Sequence, residues 1–147
     1  MADEASLRIA SDRDLVPARA RARELAIALG FTRTDATLIA TAISEVARNI
    51  IVHAGDGEIT FETAREEHRY GLIATATDTG PGIRDPELVL APGYSGRSGL
   101  GLGLAGARRL MDEFAIESNG NGTVVRMTKW RTRDELERLR ERREGAQ

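Results

Sequence analysis

Apolar residues recur at helical spacing from Leu15 onward, at Ala18, Ala22, Leu25 and Leu29. This series predicts an amphipathic helix with Asp12 as its N-cap and Gly30 as its stop. A second series, Ile39, Ile43, Val46 and Ile50, predicts a helix capped by Thr34 or Asp35 and ended by the Ala-Gly-Asp-Gly turn at 54–57. Ahead of both helices, 6–10 reads as a short edge strand. Behind them the apolar period shortens to two, so 58–64 and 70–77 predict strands joined by a charged turn at 65–69. Residues 78–98 hold no sustained period and are rich in glycine and proline, and a loop that long in a compact domain is usually functional or mobile. Residues 100–114 predict a third helix with Leu102, Ala105, Leu110 and Met111 inward. Two more strands, 115–118 and 123–130, flank the turn Asn119-Gly120-Asn121-Gly122.

Several strands and three sizeable helices in mixed order imply a two-layer α/β sandwich, with helices packed on one face of a mixed β-sheet. A single domain over 1–130 accounts for these elements. The remainder, 131–147, is dense in charge with Leu136 and Leu139 as its apolar pair, and reads as a solvated helix or a frayed end. The 147 residues are 41% hydrophobic and 30% charged, the profile of an ordinary globular chain. A net charge of -2 offers no basic field, so neither nucleic acid nor an anionic membrane is an expected partner. Cysteine is absent, which excludes disulfides, thiolate metal sites and cysteine nucleophiles, and fits a reducing cytoplasm. The acidic opening MADEASLRIA does not read as a secretory signal. His53 and His68 lie far apart and read as surface or loop histidines.

Glycine, at 15 residues, is the unusual component, and it concentrates where chemistry is expected. In Ile43-Ser-Glu-Val-Ala-Arg-Asn-Ile50, Glu45 and Asn49 stand four apart and share one helix face, offset from the apolar stripe. A carboxylate can accept a hydroxyl proton, and an amide oxygen is a hard ligand suited to Mg²⁺. The same pair would also arise as exposed polar residues of any amphipathic helix. Asp78-Thr-Gly-Pro-Gly-Ile83 follows a strand directly. Its glycines, Gly80 and Gly82, permit positive φ and close approach of a ligand, and Asp78 can accept from an exocyclic amine such as that of adenine. A tight turn closed by an Asx bond would use the same residue types. In Ser98-Gly-Leu-Gly-Leu-Gly-Leu104, glycines alternate and a helix then begins, so free N–H groups and the helix dipole can meet phosphates. The spacing is neither a dinucleotide-binding fingerprint nor a P-loop, and a flexible hinge is the alternative.

Taken in order, these boxes resemble the GHKL (Bergerat) ATP-binding superfamily, with Gly122-Thr123 similar to its closing Gly-Thr element. The segments TAISEVARNI, AGDGEI, DTGPGI, RSGLGLGL and RLMDEF are similar to the small serine/threonine kinases of bacterial partner switching, of the RsbT type. Position 45 is glutamate where sensor histidine kinases usually have asparagine, as a serine hydroxyl acceptor requires. The resemblance implies ATP and Mg²⁺ as cofactors, Glu45 as general base and Asn49 as Mg²⁺ ligand. It implies that Asp78 reads the adenine amino group beside Gly80, Gly82 and Ile83, with Thr123 at the adenine edge. Gly99, Gly101, Leu102, Gly103 and Leu104 would present backbone amides to the phosphates. Arg97 would sense the γ-phosphate or remain a solvated loop arginine, and 84–98 would form a nucleotide lid. The implied substrate is a serine or threonine of a STAS-domain antagonist protein, with a PP2C-type phosphatase or a sigma factor as further partners. Two other functions fit the same boxes: an anti-sigma factor, and a binding module that uses ATP as a conformational ligand. An intact Glu45 favours the kinase.

Overall fold

The computed structural model describes residues 5–90 and 103–134. Along the chain lie β1 (Ala5–Ile9), a 3-10 turn (Asp12–Asp14), α1 (Leu15–Ala28) and α2 (Arg33–His53). They are followed by β2 (Gly57–Arg65), β3 (Arg69–Asp78), α3 (Pro86–Leu90), α4 (Gly103–Leu110), β4 (Glu113–Asn119) and β5 (Gly122–Thr132). The strands form one sheet in the order β1-β2-β3-β5-β4. Its register sets Ile59 opposite Ala76 and Phe61 opposite Ala74, then Ala74 opposite Met127 and Ala76 opposite Val125. Strand alternation therefore gathers these side chains on one face. Ile39, Ile43, Val46 and Ile50 of α2 join them in a single buried core, with Ala18, Ala22 and Leu25 of α1 and Leu104 and Ala107 of α4. Each large aliphatic side chain buried there stabilises the fold by about 1.5–3 kcal/mol before entropy is counted.

The two-layer α/β sandwich is thus as expected, but every strand pairing among the described residues is antiparallel, where a mixed sheet was expected. The cause is the number of helices in the first connection. α1 carries the chain away from the end of β1 and α2 brings it back, so β2 starts beside the residue where β1 stopped, with Ile9 opposite Gly57. A single crossover helix would have made that pair parallel. Turns join β2 to β3 and β4 to β5, which enforces the same sense.

Element ends differ from the sequence reading for local reasons. α1 begins at Leu15 and not beside Asp12, because Asp12–Asp14 closes as a 3-10 turn in which Asp14 accepts from Ala10 N–H (2.7 Å) and Ser11 N–H (3.0 Å). These two bonds, Ala10 first, hold the Asp14 carboxyl below its ordinary value of 3.8. A lowered folded-state value means stability that is present above the unfolded value and lost as pH falls through the folded one. Asp14→Asn should flatten the acid side of the unfolding profile. If wild type and Asp14→Asn lose stability equally on acidification, this role for Asp14 is wrong.

Gly30 ends α1 with φ 89, as Gly30 N–H and Phe31 N–H return to Ile27 and Ala26 carbonyls. The cap of α2 is Thr32 and not Thr34 or Asp35: its Oγ1 accepts from Asp35 N–H at 3.1 Å. The third helix is shorter than expected, with residues 100–102 outside the described set. Phe114 lies in β4 and not in a helix, since Phe114, Ile116 and Ser118 alternate on the core face opposite Met127, Val125 and Thr123. β5 runs two residues beyond Trp130. Arg133 after it is only 6% exposed, donating from its backbone to His68 carbonyl (2.8 Å) and from Nη1 to Glu66 carbonyl (2.6 Å). The charge of this segment therefore starts by clasping the β2–β3 turn and is not all solvated. Residues 135–147 lie outside the described residues.

Candidate active site

The chemistry expected after β3 rests on a turn held tightly from two sides. β3 ends at Asp78, which pairs with Thr123 of β5 and is 7% exposed. Its Oδ1 accepts from Gly80 N–H at 3.0 Å, and its second oxygen takes no hydrogen bond from a described residue. A Cβ at Gly80 would stand 2.5 Å from Ala54 Cβ, so the turn abuts the end of α2. A Cβ at Gly82 would meet the Asn119 carbonyl oxygen at 2.0 Å, so the other side of the turn rests on the β4–β5 turn. Of the two glycines only Gly82 takes positive φ, at 82; Gly80 is required for close approach alone.

A hydroxyl chain links this turn to the sheet. Ile83 N–H donates to Ser118 Oγ at 2.6 Å, and Ser118 Oγ lies 2.7 Å from Thr123 Oγ1. Thr123, 3% exposed, is thus tied to the same turn as Asp78. Ser118 was absent from the sequence reading. Its alternation with Phe114 and Ile116, set against Thr123 across the Asn119–Gly122 turn, was the available signal.

Glu45 and Asn49 lie one turn apart in the second half of α2, whose end meets Gly80. Glu45 is 8% exposed, which removes the reading of an exposed polar pair. Its Oε1 accepts from Arg48 Nη1 at 3.1 Å. Asn49 is half-buried, and its side chain makes no hydrogen bond with a described residue. α4 packs against α2. Gly103 opens it with φ 51 and no described residue within 4 Å of where a Cβ would stand, while the side chain of Leu104 is buried and anchors the first turn. The first N–H groups of such a helix have no partners within it. Arg97, Gly99, Gly101 and Leu102 lie outside the described residues, as does most of the expected lid. Its described part includes the short helix α3.

The donor set suits an adenine nucleotide. It combines an accepting carboxylate oxygen at the end of a strand with the first N–H groups of a helix and an amide that no described residue engages. Among the described residues, no three histidines, cysteines or acids converge to hold a metal.

The family described as histidine kinase-like ATPase domain matches residues 9–129. The chain belongs to this family of ATP-binding domains. It is 45% identical over 131 residues to serine/threonine-protein kinase RsbT of Bacillus subtilis, covering 88% of this chain and 98% of that one. It is also 37% identical to an anti-sigma F factor of Caldanaerobacter subterraneus subsp. tengcongensis, over 63% of this chain and 68% of that one. Among solved structures, the RsbU and RsbW domains of a Mycobacterium tuberculosis protein share the fold, with TM-score 0.60 and 24% identity. That match covers 91% of this chain and 33% of the longer one. Among the described residues, no helix is long and apolar enough to cross a membrane.

Proposed function

We propose that this chain is an ATP-dependent protein serine/threonine kinase that phosphorylates a STAS-domain antagonist in a bacterial partner-switching pathway. The observation that carries the reading is the 45% identity to serine/threonine-protein kinase RsbT along 98% of that protein. Asp78 accepts from the adenine amino group, and Gly82, Ile83 and Thr123 shape the base pocket. The N–H groups of Gly103 and Leu104 hold phosphate oxygens, aided by Arg97, Gly99, Gly101 and Leu102. Asn49 supplies the protein's ligand to Mg²⁺. When bound, Mg·ATP supplies the electrophilic γ-phosphoryl group, with its charge partly neutralised by the metal. Glu45 receives the proton of the attacking serine or threonine hydroxyl as its oxygen bonds to phosphorus and ADP leaves. The kinase domain spans 1–130 and acts in the cytoplasm, with 131–147 as an accessory tail.

The test is phosphorylation of a purified STAS-domain protein with labelled ATP, with the modified residue mapped by mass spectrometry. No phosphoserine or phosphothreonine after prolonged incubation rejects the kinase. The identity to an anti-sigma F factor gives the second reading specific support, namely direct sequestration of a sigma factor. Stoichiometric capture of a sigma factor, without phosphotransfer to a STAS protein, would favour it. Capture of a STAS protein or a PP2C-type phosphatase would favour the switch kinase.

Both readings require adenine recognition. Asp78→Asn replaces a charged acceptor by a neutral amide, so ATP affinity should fall by about 1–3 kcal/mol. Calorimetry showing the variant binding ATP like wild type would remove Asp78 from the pocket.

A further inference from the structure

Glu45 is a carboxylate at 8% exposure whose one side-chain partner among the described residues is the guanidinium of Arg48. We propose that Arg48 is a positioning residue that fixes the Glu45 carboxylate for proton acceptance. This rests on the reading of Glu45 as the base.

The geometry separates this contact from an ordinary helix-surface ion pair. The side chain of Glu45 is 9% exposed and that of Arg48 is 30% exposed, so the pair is withdrawn from solvent far more than one on an open helix face. Exposed pairs three residues apart stabilise a helix by only about 0.2–0.5 kcal/mol. A buried carboxylate, in contrast, needs a charged or hydrogen-bonding partner to stay where it is. The terminal torsion of a glutamate is broad, so nothing intrinsic fixes the direction of its lone pairs. Arg48 Nη1 engages Oε1 at 3.1 Å, which restrains that oxygen, while Oε2 takes no hydrogen bond from a described residue. A base misplaced by about 1 Å can forfeit on the order of 10²-fold in rate. Arg48 directly precedes Asn49, yet its guanidinium turns back to Glu45.

The experiment measures phosphotransfer to a STAS-domain protein and ATP affinity for wild type, Arg48→Gln, Arg48→Lys, Glu45→Ala and the double variant Glu45→Ala/Arg48→Gln. Thermal melts accompany each variant. Arg48→Gln should lower kcat by about 10–100-fold, with ATP affinity and KM for the protein acceptor unchanged. Arg48→Lys should recover part of the loss. In the Glu45→Ala background, Arg48→Gln should cost nothing further, because a residue acting through another has no effect once that other is gone. Wild-type turnover by Arg48→Gln overturns the proposal, as does an equal loss in both backgrounds or a loss confined to KM. Should Arg48→Gln not fold, Arg48→Lys carries the same cycle, and wild-type turnover by it overturns the proposal. Full activity of Glu45→Ala removes the base itself and this role of Arg48 with it. Failure at Arg48 alone leaves the base intact.

Discussion

Glu45→Ala is expected to lower phosphotransfer to a STAS-domain acceptor by about 10²–10⁴-fold, equivalent to about 3–5 kcal/mol of barrier. ATP affinity should stay near that of wild type. Glu45 sits on α2 one turn before Asn49 and its carboxylate is bonded to Arg48, so neither oxygen is assigned to the nucleotide. Asn49→Ala should behave differently, weakening Mg·ATP binding and turnover together, because its amide is the protein's proposed ligand to the metal. The two variants thus separate proton acceptance from holding the nucleotide. Single-turnover transfer from labelled ATP, with calorimetric ATP binding on the same preparations, makes the measurement. Glu45→Ala leaves the Arg48 guanidinium without its carboxylate, so a melt must show that the variant is folded before its rate is read. Wild-type transfer by folded Glu45→Ala would abandon the kinase in this form and favour an ATP-gated binding module.

Much of this site was legible because the signals were local. Asp78 at the end of a period-two run, glycines at 80 and 82, and a polar pair four apart on an apolar-striped helix all lie in short windows of sequence. Burial was not legible in the same way. Nothing in TAISEVARNI distinguishes a Glu45 at 8% exposure from one facing solvent, because the packing of α2 against its neighbours decides it. Contacts far apart along the chain were hidden for the same reason. Ser118 reaches Ile83 across 35 positions, and Arg131 Nε reaches the Leu29 carbonyl across 102, at 2.6 Å. The strand direction was hidden because it depends on the two-helix connection between β1 and β2, which no local period encodes. Phe114 was misread because one helical series was carried past the point where period-two alternation takes over.

The largest structural effect is expected from Gly82→Ala. Two penalties coincide at this position. Its φ of 82 lies in the left-handed region, which costs an L-residue roughly 1–2 kcal/mol. A Cβ there would also stand 2.0 Å from the Asn119 carbonyl oxygen. That atom belongs to the backbone of the β4–β5 turn, so no side-chain rotation can relieve the clash. Either the Asp78–Ile83 turn or the β4–β5 turn must shift, at a further cost of about 1–3 kcal/mol. Movement of the turn would strain the Ile83–Ser118 bond and displace Asp78, so adenine binding should fail along with stability. Gly55→Ala is the matched control, because Gly55 has φ 87 and a Cβ there would meet no described residue within 4 Å. It should show the left-handed penalty alone and leave ATP affinity intact. Urea unfolding and ATP calorimetry on both variants decide the matter. If Gly82→Ala is no less stable than Gly55→Ala and binds ATP as well, the turn is not held between α2 and the β4–β5 turn in the way that positions Asp78.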